Sequence, residues 1–377
     1  MSQIRIGFVG LSKEGWATTM LAPPLTQPPL SSKYKITAIC TRSEQSAAVS
    51  ATEYAKKTGS AVKGYHGTDG TRAIAADEDV DVVVVSVKAP DHFAAAMPAL
   101  DAGKHLYVEW PAGKSLAETE ALSEAARRKG VRTLVGCQGR QSPTLKKLKE
   151  MIENDQLGRI MSTTVTGRMY RELFAWAPYV SEGKGGYATD ASNGATLLDI
   201  AVGHFLDCFT FVLGPFASLS AVCENQYPTA EFVDASGQPT GRTIPSTNAN
   251  QVAVVGILKR GTVASLHWRG GLESRGGRAG TPFIWQIDGE KGSVRLESDS
   301  LSGSFIHVLE PTMYFNGEEV KVESEDGLTN PGRAWAEFAK GEQGSYTTIE
   351  DAVQTRRLLD AITRSAQEGK RVDLTSA

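Results

Sequence analysis

Residues 4–9, IRIGFV, form a largely apolar run that breaks off into Gly10-Leu11-Ser12-Lys13-Glu14-Gly15. Comparable runs recur at 35–40, 81–87, 104–108 and 132–136, and the run 81–87 has four consecutive valines. A strand that is apolar on both faces has to be buried on both, which calls for a parallel sheet covered by helices. Helical patterns fill the intervals, notably 43–58 and 116–129. Ser115, with Glu118 three residues on, makes a capping box for the second of these. The alternation predicts a doubly wound α/β domain over 1–138. Two features disturb it. The proline-rich segment 22–32 interrupts the first crossover, and Pro98 predicts a kink or an early end to its helix.

After Gly139 the pattern changes. An amphipathic helix is predicted over 142–154, an alternating strand over 160–170, and further strands at 251–258, 263–268, 283–288 and 293–297. Turn signals at Arg260-Gly261 and Lys291-Gly292 separate them, so 139–345 reads as an α+β domain on a mostly antiparallel, open-faced sheet. The polar stretch 225–250 is too long for a simple hairpin and reads as a functional loop or a partner contact. A helix over 349–369 is expected to carry the tail, 346–377, back onto the first domain.

Charge excludes one class of function: 40 basic against 43 acidic residues leave a net charge of −3, with no electrostatic footprint for nucleic acid. No apolar run approaches the ~20 residues of a membrane span, and the first strand follows the N-terminus without a basic-then-apolar leader. Cys40, Cys137, Cys208 and Cys223 show no C-x-x-C spacing and read as reduced core thiols of a cytoplasmic protein. The six histidines are dispersed, without metal-ligand spacing, and no G-x-S-x-G elbow is present.

A strand followed by G-x-S-x-x-G at the first βα turn is a dinucleotide fingerprint, and it makes the first domain a Rossmann domain. Gly10 permits the tight turn, Gly15 lets the next helix approach the strand, and the amides around Leu11, Ser12 and Trp16 face a pyrophosphate. An acidic residue at the end of the second strand would hold the ribose hydroxyls of NAD. This chain has Thr41-Arg42 instead, a hydroxyl and a guanidinium suited to the 2′-phosphate of NADP. NADP is therefore the expected cofactor and NAD the alternative.

Ala89-Pro90-Asp91-His92, Ala102-Gly103-Lys104-His105 and Leu106-Tyr107-Val108-Glu109-Trp110-Pro111 extend the fingerprint. Together they resemble the glucose–fructose oxidoreductase/inositol dehydrogenase (Gfo/Idh/MocA) family along nearly the whole chain. The resemblance implies that Ser86, Val87, His92, Glu109, Trp110 and Gln138 line the nicotinamide side. In the family the strand-end triplet is usually Glu-Lys-Pro with a catalytic lysine, and here Trp110 holds the lysine's place. A tryptophan offers only an N–H donor and cannot serve as proton acceptor.

The second family signature appears at Asp199-Ile200-Ala201-Val202-Gly203-His204-Phe205-Leu206-Asp207. By that resemblance His204 is the candidate acid/base, with an ordinary pKa near 6.5. Asp199, Tyr170 and Lys184 are candidate helpers. Asp199 stands one residue earlier than the family's acidic position, an offset of about 100° on an α-helix. Glu109-Trp110, Gln138-Gly139-Arg140-Gln141-Ser142-Pro143 and Gly203-His204-Phe205-Leu206-Asp207 further resemble the fungal galactose-repressor-like subgroup.

Two functions follow from these resemblances. One is an NAD(P)-dependent oxidoreductase acting by hydride transfer on a small polar, sugar-like or cyclic substrate. The other is a catalytically silent NAD(P)-sensing regulator with a transcription-factor partner and a nuclear location. In either case the family implies a homodimer or tetramer built on the outer face of the second domain's sheet.

Overall fold

The computed structural model describes residues 3–182, 186–274, 280–324 and 326–375. They form two compact units, Met1–Gln141 with Asp326–Gln354, and Ser142–Glu325 with Thr355–Ala377. The first unit is built on β1 (Ile4–Val9), β2 (Tyr34–Thr41), β3 (Lys63–His66), β4 (Val82–Val85), β5 (His105–Val108) and β6 (Thr133–Val135). These lie in the order 3-2-1-4-5-6, and every pairing is parallel. The order reverses between β1 and β4, the place where open α/β sheets bind ligands at their carboxyl ends. Val82 to Val85 are at most 1% exposed, as strands covered on both faces require. β3 carries no apolar run; it is an edge strand with Lys63, Gly64 and His66 exposed, and the sequence pattern missed it.

The helix His92–Asp101 runs through Pro98 and ends three residues later. In that last turn the proline forfeits one hydrogen bond, while its own carbonyl still accepts from Ala102 N at 3.1 Å. In the proline-rich segment, Pro23 and Pro24 open the short helix Ala22–Leu25, where a missing N–H is harmless.

The units do not follow the sequence-derived boundaries at 345 and 346. The helix Asn330–Phe338 belongs to the first unit because its Trp335 and Phe338, both 0% exposed, complete that unit's core beside Tyr34 and Tyr107. Trp335 stacks on Tyr107 at 4.9 Å between ring centroids and meets Tyr34 edge-on at 5.4 Å. Residues 355–377 group with the second unit instead, where β18 (Val372–Asp373) pairs with a strand of that unit's main sheet.

The second unit adds β7 (Ile160–Tyr170), β8 (Tyr179–Ser181), β9 (Phe216–Glu224), β10 (Thr229–Val233), β11 (Pro239–Pro245), β12 (Gln251–Leu258) and β13 (Val263–Leu272). Then come β14 (Phe283–Gly289), β15 (Ser293–Ser298), β16 (Thr312–Phe315) and β17 (Glu318–Val320). Nine strands form one sheet in the order 17-16-15-14-7-13-12-9-18, antiparallel except where β13 meets β7. One face is buried under the helix Gly203–Leu213, whose Phe205 and Phe209 pack on Trp268, Phe283 and Trp285. The other face leaves Val222, Val255, Ile257 and Val263 exposed. Ala191–Leu213 is long and apolar enough to cross a membrane by length and composition, but 78% of its apolar 18-residue window is buried within the protein, as in a core helix. The stretch 225–250 is not a plain loop: β10 and β11 pair antiparallel and join β8 in a three-stranded sheet. Short exposed strands rich in proline, glycine and threonine carry no alternating apolar signal.

Candidate functional site

The carboxyl edge of the six-stranded sheet collects most of the residues singled out from the sequence. Gly10 has φ of +105°, and a Cβ there would lie 2.3 Å from the Ser86 carbonyl oxygen. Only glycine allows β1 to end this close to β4. Gly10 N donates to Cys40 O at 2.9 Å and Ser86 N to Val9 O at 2.9 Å, so the turn is seated on the ends of both neighbouring strands. Residues 13–16 are exposed, and Gly15 has φ of +133°. Among the described residues, none of the Lys13, Glu14 and Gly15 amides has an acceptor in the protein. That open set of donors fits a pyrophosphate. Leu11 is 0% exposed and is a core residue, so its backbone alone can face a ligand.

At the end of β2, Thr41 is 7% exposed and its hydroxyl donates to Ser43 O at 3.1 Å. Arg42 is exposed and makes no ion pair among the described residues. Arg42 is therefore the group available to a ribose phosphate.

β5 delivers a carboxylate into a buried polar cluster. Glu109 is 8% exposed; its Oε1 accepts from Tyr107 Oη at 2.5 Å and from Gln138 Nε2 at 3.1 Å, and the Trp16 side chain also bonds to it. Gly136 makes the room, since a Cβ there would lie 2.2 Å from Glu109 Oε2. Burial pushes the Glu109 carboxyl up to about 7, against the hydrogen bonds from Tyr107, Trp16 and Gln138 that favour its ionised form. Burial and the carboxylate together hold the Tyr107 phenol protonated, as a donor. Gln138 Oε1 is buried and has no hydrogen-bond partner, an acceptor that a ligand amide would satisfy.

His92 sits differently from its expected role. It is 2% exposed, with Nδ1 2.7 Å from Pro111 O and Nε2 3.1 Å from Val87 O. The ring thus sits between the carbonyls of the loop after β4 and the loop after β5, and as a neutral imidazole it donates to one of them at a time. Ser86 and Val87 are half-buried beside Gly10, and Trp110 is 4% exposed, joined to Pro111 by a cis peptide bond.

In the second unit, His204 lies in the first turn of the helix Gly203–Leu213 and is 6% exposed. Its ring is stacked on that of His307, with centroids 3.8 Å apart and planes within 3°. Burial, and secondarily His307, hold the His204 pKa well below 6.5, which corrects the ordinary value expected from sequence. His204 is therefore a neutral imidazole at neutral pH. Asp199 lies in a wide turn, Leu198–Val202, closed by Gly203 N–H bonding to Leu198 O. Such a turn holds one residue more than an α-turn, and so takes up the extra residue that sequence reasoning counted as a rotation. The Asp199 carboxylate is ion-paired with Arg356 and accepts from Thr196 N at 3.2 Å and Thr196 Oγ1 at 2.5 Å. Tyr170, 3% exposed, donates its hydroxyl to Gly280 O at 2.8 Å. Lys184 lies outside the described residues. His307 and Arg356 were missed, because neither belongs to a motif and both act through residues far away in the chain.

Glu109 makes a pH-dependent prediction. The folded state keeps a proton that the unfolded chain releases between pH about 4.5 and about 7, so this group's contribution to stability falls as pH rises through that window and is flat above it. Urea unfolding at pH 5 and pH 8 should show wild type losing on the order of 3 kcal/mol more than Glu109→Gln. Equal losses would mean that the carboxyl is already ionised at pH 5.

A family model described as an oxidoreductase family with an NAD-binding Rossmann fold matches residues 4–137, and one for the Gal80p C-terminal domain matches 143–298. The chain is 33% identical to dehydrogenase aclE of Aspergillus oryzae, over 98% of this chain and 97% of that protein. It is 27% identical to the galactose/lactose metabolism regulatory protein GAL80 of Saccharomyces cerevisiae, over 83% of this chain and 70% of that protein. The solved structure of a super-repressor mutant of Gal80p from S. cerevisiae shares the fold, with a TM-score of 0.86 at 24% identity over 100% of this chain and 99% of that one. The chain therefore belongs to the Gfo/Idh/MocA oxidoreductase family, with that family's NAD-binding Rossmann domain followed by a Gal80p-type C-terminal domain.

Proposed function

We propose that this chain is an NADP-dependent oxidoreductase that takes hydride from a hydroxyl-bearing carbon of a small polar, sugar-like or cyclic substrate. The observation that carries the reading is the buried imidazole of His204, stacked on His307, a residue able to serve as acid/base where the family's lysine is absent. The full-length similarity to a relative named a dehydrogenase supports it. The open amides of Lys13, Glu14 and Gly15 bind the pyrophosphate, and Arg42 grips the 2′-phosphate through two hydrogen bonds. When bound, the nicotinamide ring supplies the hydride acceptor. Glu109 and Gln138 orient the ring's side of the site. His204 takes the hydroxyl proton as the C–O bond becomes C=O. Asp199, neutralised by Arg356, holds the turn that leads into His204. Trp110 contributes an aromatic wall in place of the family's lysine.

Two observations favour a second reading. The missing lysine and the match to a Gal80p C-terminal domain suit an NAD(P)-sensing regulator that docks a transcription factor in the nucleus. Under both readings we propose that a second copy of the chain covers the open sheet face. Val222, Val255, Ile257 and Val263 form one exposed apolar surface there, on adjacent strands β9, β12 and β13.

Fluorescence titration should show tighter binding of NADPH than of NADH, and Arg42→Ala should narrow the gap by roughly ten- to a hundred-fold. Equal affinities in wild type would overturn the choice of NADP. With NADP+, at least one member of a panel of aldoses, ketoses, inositols and cyclic alcohols should raise absorbance at the reduced-nicotinamide band. His204→Ala should slow that turnover by about 10² or more while leaving cofactor affinity unchanged. No turnover across the panel, with cofactor-dependent capture of a transcription factor, favours the regulator. Light scattering should find a dimer or larger assembly in wild type, and Val255→Glu should shift it toward monomer.

A further inference from the structure

The partner of His204 has no place in any motif of the chain, yet it is firmly held. His307 lies in the segment between β15 and β16, and the residues around it are anchored on both sides. Ser304 Oγ is 2.9 Å from Arg168 O and 3.1 Å from Arg168 N, which ties the near side to β7. A tight turn follows, with Val308 N and Leu309 N donating to Phe305 O at 3.1 and 3.0 Å. On the far side, the Glu310 carboxylate accepts from Ser142 Oγ at 2.5 Å. Phe305 meets the His307 ring edge-on at 5.6 Å. The ring is 6% exposed and lies flat against His204.

An imidazole turns freely about χ2 unless something fixes its plane, because that torsion is broad and roughly two-fold. A second ring at 3.8 Å, parallel within 3°, is such a fixture. We infer that His307 is a positioning residue, acting through His204 by fixing the plane of its imidazole so that the accepting nitrogen stays aligned with the substrate hydroxyl. This rests on the reading of His204 as proton acceptor. Two charged rings at this distance would repel strongly, so the device works only if His307 stays neutral. Burial pushes its pKa down to about 3, which meets that condition.

The test uses the full-length protein labelled with 13C-histidine, and reads relaxation of the His204 ring Cδ2–Hδ2 group at neutral pH together with steady-state kinetics. In wild type the His204 ring should be as ordered as the backbone around it. His307→Ala should lower that ring order and lower kcat by about ten-fold or more with KM nearly unchanged, and His307→Phe should restore both. His307→Leu, which keeps bulk without a ring, replaces the alanine variant if circular dichroism shows that the latter is unfolded. Unchanged ring order in the ringless variant overturns the inference, as does a loosened ring with undiminished kcat. If no substrate is turned over at all, the oxidoreductase reading fails on its own. The ring-order comparison then still decides whether His307 fixes His204.

Discussion

A parallel strand covered on both faces has no surface along its length on which to do chemistry. Whatever β1, β2, β4 and β5 present has to be presented where they end, and the right-handed crossovers deliver every strand with the same end forward. Gly10, Arg42, Ser86 and Glu109 thereby converge on one edge although they are scattered through the first third of the chain. The close approach of Gly10 to the Ser86 carbonyl is the tightest expression of this constraint. A side chain at that position would separate the two central strands at the point where the sheet opens to a ligand.

The same edge carries a cost. Glu109 is desolvated by its place behind Gly136, and the hydrogen bonds from Tyr107, Gln138 and Trp16 only partly offset that. The result is a carboxyl poised near neutrality in a cluster where one donor, Tyr107, is itself stacked on Trp335. Core packing and site chemistry are thus joined through one tyrosine, whose ring belongs to the aromatic core and whose hydroxyl belongs to the polar cluster. His92 does related work, its buried ring lying between the carbonyls of the loops after β4 and β5.

In the second unit the helix Gly203–Leu213 has two tasks. Phe205 and Phe209 anchor it to the sheet, while His204, adjacent in sequence, faces His307. The wide turn before it accommodates one extra residue without unwinding the helix, and Arg356 neutralises the carboxylate it carries. A buried charge left without that partner would be strongly destabilising, so Asp199 and Arg356 are best understood as a unit.

What the sequence determined by itself is everything written in local periodicity and spacing. The strand–helix alternation, the glycine turn, the absence of an acidic residue after β2, the antiparallel second sheet and the position of His204 are all set by neighbours within one element or one turn. Where that signal was weak, as in the exposed edge strand β3 or the short strands β10 and β11, the pattern read as loop. Tertiary structure alone decided that Trp335 and Phe338 complete the first core, that Glu109 titrates near neutrality, that Asp199 belongs to Arg356, and that His204 is a neutral ring held against His307. Each of these depends on burial or on contact between residues far apart in the chain. Desolvation and ring packing are properties of the assembled environment, and no local pattern encodes them.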